Sequence, residues 1–174
     1  AAASMIAGNV LALVQSNLKR MLAFSSIAHM GYLSIAFISG GAATHETVAL
    51  YLLAYTTATL GAFGVIMCLT SHSVTGKEVE RIGDFRGLFW SDPLAASVLA
   101  VSLLSLAGIP LTAGFLGKFY LLAAGASTNF WWLLVVLALT STVGAYYYLR
   151  VIVLMASRED SGEAVCVKRR LPVS

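Results

Sequence analysis

The sequence predicts an all-α, polytopic transmembrane helix bundle with one broken transmembrane helix, and three observations carry that prediction. Of the 174 residues, 59% are hydrophobic and 11% charged, with a mean hydropathy of +0.84; a soluble domain carries about 25% charged residues. The apolar residues fall into runs near the roughly 20 residues that cross a hydrocarbon core. One run is much longer, and it contains Gly108, Pro110 and Lys118, the only formally charged side chain inside the apolar spans apart from Arg150 toward the end of the last one.

The elements follow in order. The stretch 1–14 is apolar, begins at Ala1 and lacks the basic leader of a signal peptide, so it reads as a partial span of a longer chain. Spans at 21–39 and 48–69 each match one bilayer thickness. The run 93–124 would reach about 48 Å as an unbroken helix at 1.5 Å per residue, well beyond a hydrocarbon core about 30 Å thick. Pro110 lacks a backbone N–H and disfavours helix at Ile109, while Gly108, Gly114 and Gly117 loosen the backbone; a discontinuity is therefore expected near 108–112. A final span occupies 130–156, followed by a polar tail, 157–174.

Smaller patterns refine these elements. Ala54, Ala58 and Ala62 recur every four residues beside Gly61 and Gly64, so the span 48–69 reads as a structural helix built for close packing. Phe89-Trp90, Phe130-Trp131-Trp132 and Tyr146-Tyr147-Tyr148 read as interfacial aromatic belts. Between 77 and 90, charges alternate with Val79, Ile82, Phe85, Leu88 and Phe89, the pattern of a short amphipathic helix at the interface.

Charge placement orients the bundle. Lys19 and Arg20 precede the span 21–39. Lys77, Arg81 and Arg86 precede 93–124. Arg150, Arg158, Lys168, Arg169 and Arg170 lie at or beyond the end of the last span. These ten share one side, whereas the connections 40–46 and 125–129 contain no Lys or Arg, so the positive-inside rule places the ten, and the tail, on the cytoplasmic side.

Lys118 is left over, and an ionisable group beside a broken intramembrane helix points to ion or proton movement. A lysine can instead snorkel to the headgroups, but that would put it on the side otherwise empty of basic residues and leave the break unexplained. Facing a hydrated cavity, it could exchange protons in step with a neighbouring charge. His29 is the second candidate: Ser25, Ser26, His29 and Tyr32 are spaced to share one helical face that should point inward. The residues leave open whether His29 relays protons or only bonds a neighbouring helix. His45 and His72 fall in expected loops. Cys68 and Cys166 have no second cysteine or histidine at metal-ligand spacing, so neither a metal site nor a disulfide framework is expected. The sequence contains no dinucleotide fingerprint and no nucleophile with an identifiable base, so any catalysis is vectorial or belongs to partner subunits.

Two stretches carry a family resemblance. Asn17-Leu18-Lys19-Arg20-Met21-Leu22-Ala23-Phe24-Ser25-Ser26-Ile27-Ala28-His29-Met30-Gly31-Tyr32 is the first, and Leu103-Leu104-Ser105-Leu106-Ala107-Gly108-Ile109-Pro110-Leu111-Thr112-Ala113-Gly114-Phe115-Leu116-Gly117-Lys118-Phe119-Tyr120 the second. Together they resemble the antiporter-like membrane subunits of proton-pumping NADH-quinone oxidoreductase, over about 1–156. The resemblance implies a fragment of the antiporter-like fold and a role in proton translocation, with Lys118 on the exit half of the proton path. It also implies NADH, FMN, iron–sulfur clusters and quinone on other subunits, none on this chain, and the other complex I subunits and the lipid bilayer of a bacterial plasma membrane as partners. The family's intramembrane glutamate and further lysines would lie upstream of this sequence, and 163–174 does not continue the resemblance. Subunits of multisubunit cation/proton antiporters and membrane-bound hydrogenases share the architecture. A purely structural or assembly subunit is the reading that differs in kind.

Overall fold

The computed structural model describes residues 1–40, 44–71, 80–126 and 130–157. Within them the chain is helical: α1 (Ala2–Leu13), α2 (Leu18–Ser39), α3 (Thr44–Ser71), a 3-10 turn (Ile82–Phe85), α4 (Leu88–Ser91), α5 (Pro93–Ala107), α6 (Ala113–Ala126) and α7 (Trp131–Ala156). The long helices α2, α3 and α7 are long and apolar enough to cross a membrane, and α1, α5 and α6 are shorter apolar helices. Large apolar side chains point outward on every long helix, among them Phe37, Leu53, Leu60, Met67, Leu139 and Val153. That outward surface suits lipid or other membrane subunits, and the chain is an integral membrane protein.

Local chemistry sets the helix ends. Asn17 caps α2 by accepting from the Arg20 amide at 3.1 Å, and Gly40 closes the helix with a left-handed φ of 59°. Asp92 caps α5 through the Ala95 amide, with Pro93 at the first helical position, where its missing N–H costs nothing.

The helices pack α1 along α2 and α7, α3 against α5 and α6, and α5 against α7. Small residues permit the closest approaches. A Cβ on Gly8 would lie 2.6 Å from the Ala28 amide nitrogen, and one on Gly61 would lie 2.6 Å from Ser102 Oγ. Ala58 and Ala62 are buried in the same contact region of α3, whereas Gly64 faces open space.

One end of the bundle is tied together by polar contacts. Leu18 N donates to Glu80 O, Ile82 N donates to Ser16 O, and Asn17 and Lys19 both donate to the Glu80 carboxylate, at 2.7 and 3.0 Å. Trp90 Nε1 donates to Ala156 O at the same end. The turn after α1, the segment before α5 and the end of α7 therefore meet where Lys19, Arg20, Arg81 and Arg86 gather.

Three expectations need correction. Among the described residues of 77–90 there is no continuous amphipathic helix: Gly87, at φ 72°, separates the 3-10 turn from α4, and 77–79 lie outside the described residues. His45 sits in the first turn of α3 rather than in a loop, with an exposed side chain, and His72 lies outside the described residues. Tyr147 and Tyr148 are not interfacial; they are buried in the bundle, and only Tyr146 of the three faces outward.

Candidate functional site

The break in the long apolar run is built mainly by Gly108. It takes φ 77°, a left-handed conformation open to glycine, and ends α5 in a Schellman turn: Ile109 N donates to Leu104 O and Gly108 N to Ser105 O. Pro110 and Leu111 then form the centre of a turn closed by Thr112 N donating to Ile109 O, and Leu111 has φ 81°, where glycine is the usual residue. Thr112 restarts the helix, its hydroxyl accepting from the Phe115 amide. Gly114 lets α6 start against α5: a Cβ there would collide with the Ser105 carbonyl, and its amide donates to Ser105 Oγ instead. The sequence points to Gly108 and Pro110 together, and the structure divides the work between them: Pro110 is exposed on the turn, while the terminating bonds belong to Gly108 and Ile109.

A helix end leaves four carbonyls without intrahelical partners. The Schellman turn occupies those of Leu104 and Ser105. The next two, Leu106 O and Ala107 O, both accept from Lys118 Nζ, at 3.1 and 2.8 Å. The third ammonium proton is directed to Ser141 Oγ of α7, at 3.0 Å. Lys118 is thus buried with three neutral acceptors, two of them at the negative end of the α5 dipole. Gly108 makes the approach feasible a second time, since a Cβ there would lie 2.8 Å from Lys118 Cδ and 3.0 Å from Nζ.

His29 is buried on α2, facing α3. Its Nδ1 lies 2.7 Å from Tyr51 Oη, and its ring packs edge-on against Tyr32 and tilted against Tyr55. Tyr32 in turn presents its ring to Lys118 Nζ, 5.5 Å from the centroid. His29 and Lys118 line one small cavity of about 10 Å³, walled also by Tyr51, Tyr55, Ser105 and Gly114. That volume is at the threshold for a single water molecule. Of the residues expected on the inward face of α2, Ser25, His29 and Tyr32 are buried, while Ser26 is half-buried, with both serine hydroxyls donating to Leu22 O.

Sequence reasoning missed Tyr51, Tyr55, Ser105, Ser141 and Asn9. The first two sit on α3, read as purely structural, and the serines look like ordinary small residues of a packed helix. The periodicity of Tyr51 and Tyr55, one turn apart, was the available signal. Ser105 and Ala54 also wall a larger open groove of about 540 Å³ between α3 and the break, bordered by Leu53, Val101 and Leu111. Among the described residues no group of His, Cys, Asp or Glu is arranged to hold a metal ion.

Comparison with known proteins places these features in context. The family described as "NADH:quinone oxidoreductase/Mrp antiporter, TM" matches residues 1–144. NADH-quinone oxidoreductase subunit N of Ectopseudomonas mendocina is 51% identical over 159 residues, covering 91% of this chain and 32% of that protein. Subunit N of Methylococcus capsulatus is 54% identical over 129 residues, covering 72% of this chain and 26% of that protein. A chain of respiratory complex I from Thermus thermophilus, solved with bound Aureothin, superposes with a TM-score of 0.77 at 38% identity, covering 90% of this chain and 35% of that one. A chain of the Mrp complex from Dietzia gives a TM-score of 0.82 at 23% identity, a likeness of fold alone, covering 95% of this chain and 30% of that one. The chain thus spans about a third or less of the length of the relatives it matches.

Proposed function

We propose, since this chain belongs to the NADH:quinone oxidoreductase/Mrp antiporter transmembrane family, that it is part of a proton-translocating membrane subunit of NADH-quinone oxidoreductase, of the subunit N type, in a bacterial plasma membrane. In this reading it couples electron transfer from NADH to quinone, carried by FMN and iron–sulfur clusters on partner subunits, to proton movement across the bilayer. Identities above 50% to two curated N subunits support the oxidoreductase over the antiporter branch of the family.

The observation that carries the reading is the lysine at the break. The ammonium donates to Leu106 O, Ala107 O and Ser141 Oγ. After proton loss, the neutral amine still donates twice, to the two carbonyls, and the Ser141 hydroxyl can rotate to donate to the nitrogen lone pair. Both protonation states are therefore satisfied without moving the backbone, and among the described residues neither draws on a carboxylate partner. A buried ion pair would strand its partner each time the proton left. His29, across a cavity of single-water size, is the nearby exchangeable group on α2. Gly108 and Pro110 shape the break that supplies the carbonyls, Gly108 by ending α5 and Pro110 by forming the turn.

The test uses the full-length subunit in the intact complex, reconstituted in vesicles with a pH-sensitive dye. Lys118→Ala should lower proton pumping and coupled electron transfer by roughly tenfold, while assembly on native gels stays normal. Lys118→Arg should also be impaired, because arginine keeps its charge but does not release a proton. Wild-type pumping in both variants would end the assignment and favour a structural subunit. Sodium-dependent proton exchange without NADH oxidation would move the chain to the antiporter branch.

A further inference from the structure

We propose that Asn9 is a positioning residue for proton transfer, holding the Tyr32 ring against the Lys118 ammonium; the inference rests on the proton-transfer role proposed for Lys118. Asn9 lies on α1, far from the break in sequence, and is 1% exposed. Its amide is fully engaged. Nδ2 donates to Met5 O and to Tyr32 Oη, each at 2.8 Å, and Oδ1 accepts from Tyr147 Oη at 3.1 Å. The Met5 carbonyl fixes the amide orientation, because reversal would set two acceptors face to face. Asn9 consequently ties α1, α2 and α7 at one point, and Gly144 leaves room for it: a Cβ there would sit 3.3 Å from Oδ1.

The tie ends on the ring that meets the lysine. Tyr32 is 2% exposed, held at its hydroxyl by Asn9 of α1 and by Thr140 of α7, and edge-on to His29, ring centroids 5.4 Å apart. Its ring lies 5.5 Å from Lys118 Nζ, inside the distance of about 6 Å at which a ring face attracts a cation. The two carbonyls come from α5 and the serine from α7; Tyr32 supplies the α2 side of the same ammonium. A ring attracts the ammonium and not the neutral amine, so its placement bears on how Lys118 holds and releases a proton. A helix-to-helix contact alone would need the hydrogen bonds but would be indifferent to the ring.

The experiment compares Tyr32→Leu, Tyr32→Phe, Asn9→Leu, Tyr147→Phe and Lys118→Ala in the full-length subunit of the intact complex. Native gels report assembly, vesicle pumping reports coupled turnover, and steady-state kinetics report KM for NADH and a quinone analogue. Tyr32→Leu should lower coupled turnover roughly tenfold with both KM values unchanged. Tyr32→Phe keeps the ring but loses its anchor, and with Asn9→Leu it should lower turnover only about threefold. Fully assembled Tyr32→Leu and Asn9→Leu complexes that pump at the wild-type rate would overturn the proposal. So would an Asn9→Leu complex that fails only in assembly while Tyr32→Phe and Tyr147→Phe pump fully. If Lys118→Ala also pumps normally, the lysine assignment itself falls and this inference with it; if Lys118→Ala alone is impaired, only the inference falls.

Discussion

Helix α3 and the pair α5–α6 face the same problem and solve it differently. Both are apolar segments longer than one hydrocarbon thickness: α3 has 28 residues, and Pro93 to Ala126 runs through two helices. In α3 the polar residues Thr44, His45, Glu46, Thr70 and Ser71 occupy the ends, so the helix continues without interruption. In α5–α6 there is no such polar margin near the middle, and Gly108 turns the chain left-handed instead. The continuous helix keeps its carbonyls in its own bonds and contributes tyrosine hydroxyls to the site. The interrupted one releases two carbonyls and holds a cation on them. A charge inside the apolar core is found where the backbone has been opened to receive it.

The comparison breaks most sharply at Gly108. Gly108→Val combines a disfavoured positive φ with a side chain placed against Lys118, so coupled pumping should fall by at least tenfold, or the complex should fail to assemble. Wild-type pumping in that variant would show that the freed carbonyls are not what holds the lysine. Ser141→Ala removes one of three acceptors and the group that can donate to the neutral amine; vesicle assays should show about a fivefold loss with assembly intact. Tyr51→Phe on the continuous helix removes only the hydroxyl bonded to His29, and turnover in the same vesicle assay should fall about threefold. An effect larger than that of Ser141→Ala would shift the centre of the site from the break to α3. At the far end of the scale, Gly64→Ala, which faces open space on α3, should leave pumping unchanged and thermal stability equal or slightly raised. A loss there would reveal a contact with another subunit at that face.

The same contrast explains what was legible in the sequence. A broken helix with a lone lysine could be read from run length, glycine, proline and charge, because each is a local property of the chain. That Leu106 and Ala107 would supply the acceptors was not readable, since backbone carbonyls carry no residue-type signal. Tyr147 and Tyr148 were misread as interfacial because a tyrosine near a span end looks alike whether it faces lipid or the bundle; the packing of α7 on α1 and α5 decides by covering them. Asn9 was passed over because a single polar residue in a short apolar stretch has no pattern around it. His29 was visible through its spacing, but its pairing with Tyr51 depends on how α2 and α3 lie together.

The two halves of the broken helix also bear on how the chain enters the bilayer. With 15 and 14 residues, α5 and α6 would span about 22 and 21 Å, each short of the roughly 20 residues needed for a crossing. Neither half qualifies for membrane insertion alone. Only the whole run 93–126, lysine included, is long enough to cross as one hydrophobic segment. Its apolar neighbours outweigh the single charge in that run, and the Leu106 and Ala107 carbonyls that meet the ammonium exist as free acceptors only in the folded, broken helix.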